Sequence, residues 1–384
     1  MGIFDFFKKN RTNNEMRENI NVSVKVETNI IGRNEEIVPL EYYIKNAIQS
    51  KQGLYPHEIL MLEYSTKFKT SNNDFQKFWY YDYSITDPQK ILDSLDRRGF
   101  IEKGDLKSAL DKIKLSEIKE ELKSIDQKVT GKKEELIDRL LEYGDINSLN
   151  KKYSERYYVL TSLGEQELKE NEYVSYLHRN KYMTIWEMNK RITQTHYSYR
   201  DILWGYFNDQ SIQHFGNYDF GLYRNTRLNM VNFLMEENKI NDAFCRLCEV
   251  AAVDLSGLGN SEKYLFEQEK EGTEFFLNFY KEHLEYFLAN DELSVIIAPG
   301  IVRYFIDMKD KLEMNDIEYR ESILNELNKI CLPRNIFTVD ERVDVLMAYL
   351  SNDKAVLGEI CKKAKKREMA RLQAIKEKYK RKGR

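Results

Sequence analysis

The chain has 384 residues, enough for two or three domains at roughly 150 residues each, and its 42% hydrophobic and 32% charged residues give a globular balance with ample material for cores. No run of 18 or more apolar residues occurs, which excludes a transmembrane helix. The net charge of −3 hides an asymmetry, because residues 362–384 carry +10 and the remainder therefore sums to −13.

Residues 1–36 are polar and turn-rich and read as a flexible or weakly ordered segment, with one alternating run, Ile20-Asn-Val-Ser-Val-Lys-Val-Glu, that has the pattern of a strand. The start, Met1-Gly-Ile-Phe-Asp-Phe-Phe-Lys-Lys, is too short an apolar run for a signal peptide, and Phe6 breaks the myristoylation pattern. It reads as a short helix or frayed end, or as a weak anchor for a membrane surface or partner. Helical spacing begins at Pro39-Leu-Glu-Tyr-Tyr-Ile and resumes at Leu54-Tyr-Pro-His-Glu-Ile-Leu, where Pro56 suits a first turn. Residues 75–83 are densely aromatic (Phe75, Phe78, Trp79, Tyr80, Tyr81, Tyr83), a set that packs into a core or stacks on bases. Asp87-Pro88 then opens a helix as N-cap and first residue, Gly99 closes it, and Phe100-Ile101-Glu102 follows as a short strand.

This order, with a helix ending Leu-x-Arg-Arg-Gly-Phe-Ile, resembles the core of winged-helix DNA-binding domains. Some fifty residues later Arg156-Tyr-Tyr-Val-Leu-Thr-Ser-Leu-Gly reads as a strand, then Thr161 capping a helix with Gly164 in its first turn. That is similar to the strand and helix that close many winged-helix domains. The resemblance implies a winged-helix-like domain, 37–109 and 148–172, whose wing is interrupted by an insertion; the alternative is two unrelated helical segments.

Within the insertion, Leu115, Ile118 and Leu122 share one helix face, and Leu136, Ile137, Leu140 and Leu141 supply a facing stripe. Thr130-Gly-Lys-Lys lies between, Gly131 taking a backbone conformation that a side chain resists and Thr130 placed to cap the second helix. Ile118, Leu122, Gly131, Lys133, Leu136, Arg139 and Leu140 fall on the SAP pattern without a gap, so residues 110–143 resemble a SAP helix–turn–helix hairpin, here bounded at 110–147. Asp126-Gln127 stands where the family usually has Gly-Leu; Asp tolerates a left-handed position, and Val129 is placed to replace the leucine contact. Backbone N–H groups, the positive end of the helix dipole and two ammonium groups converge at the second helix start, a phosphate-contacting arrangement. The resemblance implies that Lys128, Thr130, Gly131, Lys132, Lys133 and Arg139 face DNA, with a preference for AT-rich duplex. Residues 112–143 hold eight basic and eight acidic residues, so binding rests on local clustering. The alternative is a SAP-like hairpin that contacts protein.

Residues 173–360 read as an all-α interaction domain. Thr184 caps a helix with Glu187 three residues on, 229–254 reads as an αα-hairpin around Glu236-Glu-Asn-Lys, and helices are expected at 301–313, 316–330 and 339–363. No second copy appears at a 34-residue period, so a tetratricopeptide array is not supported. Residues 361–384 form a basic helical tail in which Lys362, Lys363, Lys365, Lys366 and Arg367 are candidates for non-specific DNA contact.

Catalytic signatures are missing: there is no P-loop, GxSxG, GxGxxG or HExxH, and the five histidines are scattered. Cys245-x-x-Cys248 is half a metal site without a second pair and reads as buried structural cysteine; four cysteines in so long a chain make no disulfide framework. With no secretory signal, a cytoplasmic setting is expected, and residue usage rich in Lys, Asn, Ile and Tyr suggests a bacterial or phage chain. The fold class is mainly α: a winged-helix-like α+β domain carrying an inserted SAP hairpin, then an all-α domain and a basic C-terminal helix. The expected function is a non-enzymatic DNA-binding or DNA-associated accessory role on duplex of low sequence specificity, with no cofactor and a protein partner for the helical domain. The alternative is a protein-interaction scaffold in which both modules dock proteins.

Overall fold

A computed structural model describes residues 38–71, 73–260, 262–289 and 295–382. The apolar start and the alternating run at 20–27 lie outside the described residues. After α1 (Leu40–Asn46) comes α2 (Pro56–Ser65), with Pro56 in its first turn, where the N–H it lacks has no intrahelical partner anyway. The aromatic stretch forms the single turn α3 (Phe78–Tyr81). Asp87 caps α4 (Pro88–Arg97) by accepting the Lys90 N–H at 3.3 Å, and Gly99 leaves the helix at φ +76°. β1 (Ile101–Lys103), α5 (Leu106–Leu110), α6 (Leu115–Ser124), α7 (Lys133–Tyr143), α8 (Ile146–Lys152) and β2 (Tyr158–Leu160) follow. The rest is helical: α9 (Ser162–Glu170), α10 (Tyr173–Asn180), α11 (Ile185–Thr195), α12 (Tyr199–Gly216), α13 (Phe220–Glu236), α14 (Ile240–Ser256) and α15 (Lys263–Glu271). Then come α16 (Glu274–Phe287), α17 (Pro299–Lys311), α18 (Asp316–Asn328), α19 (Val339–Leu350) and α20 (Lys354–Lys382).

β1 and β2 pair as a two-stranded sheet. The Gly104 N–H donates to Tyr157 O at 2.9 Å and the Thr161 N–H to Phe100 O at 3.1 Å, so the pairing is antiparallel. Residues 68–70 run along the other side of the returning strand: the Thr70 N–H donates to Arg156 O at 2.8 Å and the Tyr158 N–H to Phe68 O at 3.2 Å.

The chain divides into two compact units. One comprises, of the described residues, 38–46, 67–98 and 103–158, the other 47–66, 99–102 and 159–382. This division cuts across the expected domains, placing α4 and the inserted hairpin in the first unit and α2 and α9 in the second. In the first unit the aromatic stretch splits by role. Trp79 and Tyr83 are buried, whereas Tyr80 and Tyr81 are 45% and 66% exposed. The inserted hairpin has its own core of Leu106, Leu110, Ile118, Leu122, Leu136, Ile137, Leu140 and Leu149, so α5 and α8 belong to it as well as α6 and α7. The two extra helices enlarge an apolar cluster that a hairpin of about 35 residues would leave marginal.

In the second unit α2 packs against α9, α10 and α11, and α12, α13 and α14 pack in succession as antiparallel helices. The expected caps are present: the Thr161 hydroxyl accepts the Gly164 N–H at 3.2 Å, and Thr184 accepts from Glu187 at 3.1 Å. α14 is apolar on most of its circumference (Ala243, Leu247, Val250, Ala251, Leu255), which fits its position beneath α13, α17 and α18. Two features differ from expectation. The helix expected over 339–363 is broken at Ser351–Asp353, where Asn352 turns left-handed (φ +56°) and Asp353 accepts the Ala355 and Val356 N–H groups at 3.1 and 3.0 Å. A cap therefore overrides helical propensity there. The expected tail boundary at 361 falls inside the 29-residue α20, and that helix is docked, with Leu357, Ile360, Cys361, Ala364 and Leu372 buried in the core of the unit.

Candidate nucleic-acid interface

The α6–α7 hairpin is built around its turn. α6 ends with Asp126 in the left-handed region (φ +58°), the Asp126 N–H donating to Lys123 O at 3.1 Å and the Gln127 N–H to Leu122 O at 2.8 Å. Those two bonds form a Schellman closure made without glycine. Val129 packs against the apolar cluster, taking the place of the absent leucine.

The turn is braced from α7. Arg139 Nη1 donates to Lys128 O at 2.6 Å and to Thr130 O at 3.4 Å. Gly131 lies at φ +138°, and a Cβ there would meet Glu135 Oε2 at 2.6 Å. The helix cap falls two residues later than Thr130. Lys132 is the N-cap, its N–H donating to Glu135 Oε2 at 3.2 Å. Lys133 turns back across the module, its ammonium donating to Asp111 O at 2.8 Å and Ile113 O at 2.7 Å.

The six residues expected to face DNA therefore separate by role. Lys128, Thr130, Gly131 and Lys132 are exposed at the turn, and among the described residues no carboxylate pairs with the Lys128 or Lys132 ammonium. Lys133 and Arg139 are half-buried and spend their N–H groups on backbone carbonyls. The α7 start is also less open than the sequence suggests, because Glu135 folds over it and Glu134 shares its first turn. The remaining surface offers two free ammonium groups beside a partly occupied helix start. That suits contact with a phosphate backbone and gives no base-reading set.

Sequence reasoning missed the ties that hold the outer helices. Lys107 Nζ donates to Asp138 Oδ1 at 2.8 Å, and Glu121 accepts from Lys152 and from the Tyr153 hydroxyl, the latter at 2.9 Å. Burial alone would raise the Glu121 carboxyl, but those two donors hold it below its ordinary range.

The candidates on α20 separate in the same way. Lys363, Lys365 and Lys366 are exposed, and Lys362 pairs with Glu359 at 2.9 Å. Arg367 is a clamp: its guanidinium holds both Glu341 oxygens at 2.9 and 2.7 Å and the Ile336 carbonyl at 2.6 Å. Cys245 is half-buried and Cys248 fully buried on α14, and among the described residues no group of three or more His, Cys, Asp or Glu is placed to hold a metal. No described helix is long and apolar enough to cross a membrane.

The SAP domain model matches residues 109–144, the stretch from the end of α5 through the end of α7. SAP domains are helical hairpins that generally bind DNA. No curated protein and no solved structure matches the chain.

Proposed function

We propose that the protein is a non-enzymatic, cytoplasmic, DNA-associated accessory protein of bacterial or phage origin whose SAP module contacts the phosphate backbone of duplex DNA. The match of the SAP model to a hairpin that leaves Lys128 and Lys132 exposed and unpaired carries this reading. Gly131, Lys133 and Arg139 act indirectly by fixing the turn that presents those two lysines. With two phosphate contacts and an electroneutral module, affinity from this site is modest, low in sequence specificity and strongly dependent on salt.

A winged-helix-like host for the module is part of the proposal. It is supported by the chain order of α2, α4, β1, insertion, β2 and α9, and by residues 68–70 pairing with the strand that also pairs with β1. A second reading, protein docking by the helical unit, is favoured by one observation. Tyr264, Phe275, Phe279 and Tyr286 on α15 and α16 are 43–59% exposed, and Phe275 stacks on Phe279 with ring centroids 6.0 Å apart.

Fluorescence anisotropy of a labelled AT-rich 24-base-pair duplex, titrated between 50 and 200 mM salt, tests the first reading. Binding should weaken with salt, and Lys128→Gln with Lys132→Gln should lower the slope of log K against log salt by about 1.8. Absence of binding at 50 mM salt would sink it.

A further inference from the structure

α20 is a rod fixed along one side. Leu357, Ile360, Cys361, Ala364 and Leu372 bury that side, and Arg367 and Arg371 clamp it through Glu341 and Glu269. The opposite side is exposed and cationic. At 100° per residue, Lys362, Lys366 and Lys380 fall within about 40° of one line along the helix, flanked by Lys363, Lys365, Lys376 and Arg381. All seven are exposed. Lys362 pairs with Glu359 at 2.9 Å and Lys363 adds to the field that lowers the Glu359 carboxyl, and among the described residues the other five form no ion pair. The acidic residues on this side are Glu359 and Glu377, and Gln373 hydrogen-bonds Glu377 at 3.0 Å.

The cations are grouped. One cluster occupies 362–366 and the other 376–381, with Ala370, Gln373 and Ala374 exposed between them. Their centres are about fifteen residues apart, which on an α-helix is about 22 Å. The facing ends of the clusters, Lys366 and Lys376, are ten residues and so about 15 Å apart, close to the roughly 12 Å width of the major groove of duplex DNA, so the two clusters reach the phosphate rows on its two sides. Between the clusters the exposed positions Ala370, Gln373 and Ala374 are small or polar, and Met369, which falls on the same line, is half-buried against the core, so no exposed large apolar side chain is offered to a lipid interface.

We propose that the outward face of α20 is a second duplex-DNA contact, a preorganised bar whose two cationic clusters engage phosphates on either side of a groove. This rests on the reading of the protein as DNA-associated but not on the SAP module. The bar is held by its buried side through Leu372, with Ile375 half-buried beyond, and the second cluster continues the same helix, so binding orders little backbone and the folding cost is small.

The test uses the full chain and the same 24-base-pair duplex. Two triple variants neutralise one cluster each: Lys363→Gln, Lys365→Gln, Lys366→Gln, and Lys376→Gln, Lys380→Gln, Arg381→Gln. Glutamine keeps helix propensity, and circular dichroism melts confirm that the fold is retained. Each triple variant should bind roughly tenfold or more weakly at 100 mM salt, with the salt slope lowered by about 2.7, whereas the Lys128/Lys132 variant should keep the part of the slope due to α20. Wild-type binding that both triple variants leave unchanged overturns the α20 proposal while the DNA reading stands on the SAP module. A wild type that does not bind at 50 mM salt overturns both. Equal affinity for an RNA hairpin or a phosphatidylserine vesicle overturns the assignment to duplex DNA.

Discussion

Replacing Lys133 with methionine separates a residue that binds from a residue that builds. The lysine ammonium donates to the carbonyls of Asp111 and Ile113 at 2.8 and 2.7 Å, joining the start of α7 to the segment that leads into α6. Hydrogen bonds to a charged group contribute about 1.5–3 kcal/mol each, and half-burial here, with water able to reach freed carbonyls, reduces the pair to about 2 kcal/mol. Methionine keeps the apolar stem in place, so the loss belongs to the two bonds. Native-state hydrogen exchange reads it directly: the amides of Leu136, Ile137 and Leu140 on α7, and of Leu122 on α6, should exchange about thirtyfold faster. Lys132→Met, whose ammonium has no such partner, should leave protection unchanged and lower only DNA affinity. If Lys133→Met keeps full protection and loses DNA binding, the ammonium faces the nucleic acid and the structural role assigned to it is wrong.

Asp126→Gly removes the strain of a side chain at φ +58° and should stabilise the module by about 0.5–1 kcal/mol, seen as slower exchange of α6 amides; faster exchange would contradict the Schellman closure described for this turn. His57, stacked on Tyr55 and tilted against Trp186, is held by burial at about 4, below its ordinary 6.5. The unfolded chain takes up that proton first as pH falls, so the stability from neutral His57 is complete above pH 6.5 and declines towards pH 4. The loss reaches about 2 kcal/mol at pH 5, and His57→Phe should flatten the difference in urea midpoints between pH 7 and 5. Exposed Cys331 should react promptly with a thiol reagent under native conditions. Cys248, whose thiol burial holds well above its usual range, and Cys361, pushed up to about 11, should react only on unfolding.

Local signals in the sequence located much of this molecule. Asp87-Pro88, Thr161 and Thr184 mark real helix starts because a cap is decided by the few residues around it. The spacing of Ile118, Leu122, Leu136 and Leu140 located the hairpin core for the same reason. The roles of Lys133 and Arg139 were not legible in that way. Their acceptors are backbone carbonyls as much as 22 residues away, and carbonyls leave no trace in residue type. Thr130 looked like the better cap by chemistry, yet Gly131 at φ +138° delays the helix and passes the position to Lys132. In α20 a dense charge run concealed a buried stripe at 357, 360, 361, 364 and 372, so a docked helix read as a tail. In the aromatic segment Trp79 and Tyr83 pack into the core while Tyr80 and Tyr81 stay exposed, a division the sequence could not show because only tertiary packing decides which rings are covered.

The chain leaves for the SAP module and returns from it at a single point, Gly104 N–H meeting Tyr157 O at 2.9 Å. Closing an unstructured loop of about fifty residues carries a length-dependent entropy cost of about 3.5 kcal/mol. A module that folds first brings its own ends together and removes most of that cost before β1 and β2 pair. The sequence between Gly104 and Tyr157 is thus a cassette whose ends meet, and a nested order of folding, the inner element ahead of the strands that enclose it, is the one that carries the smaller closure cost.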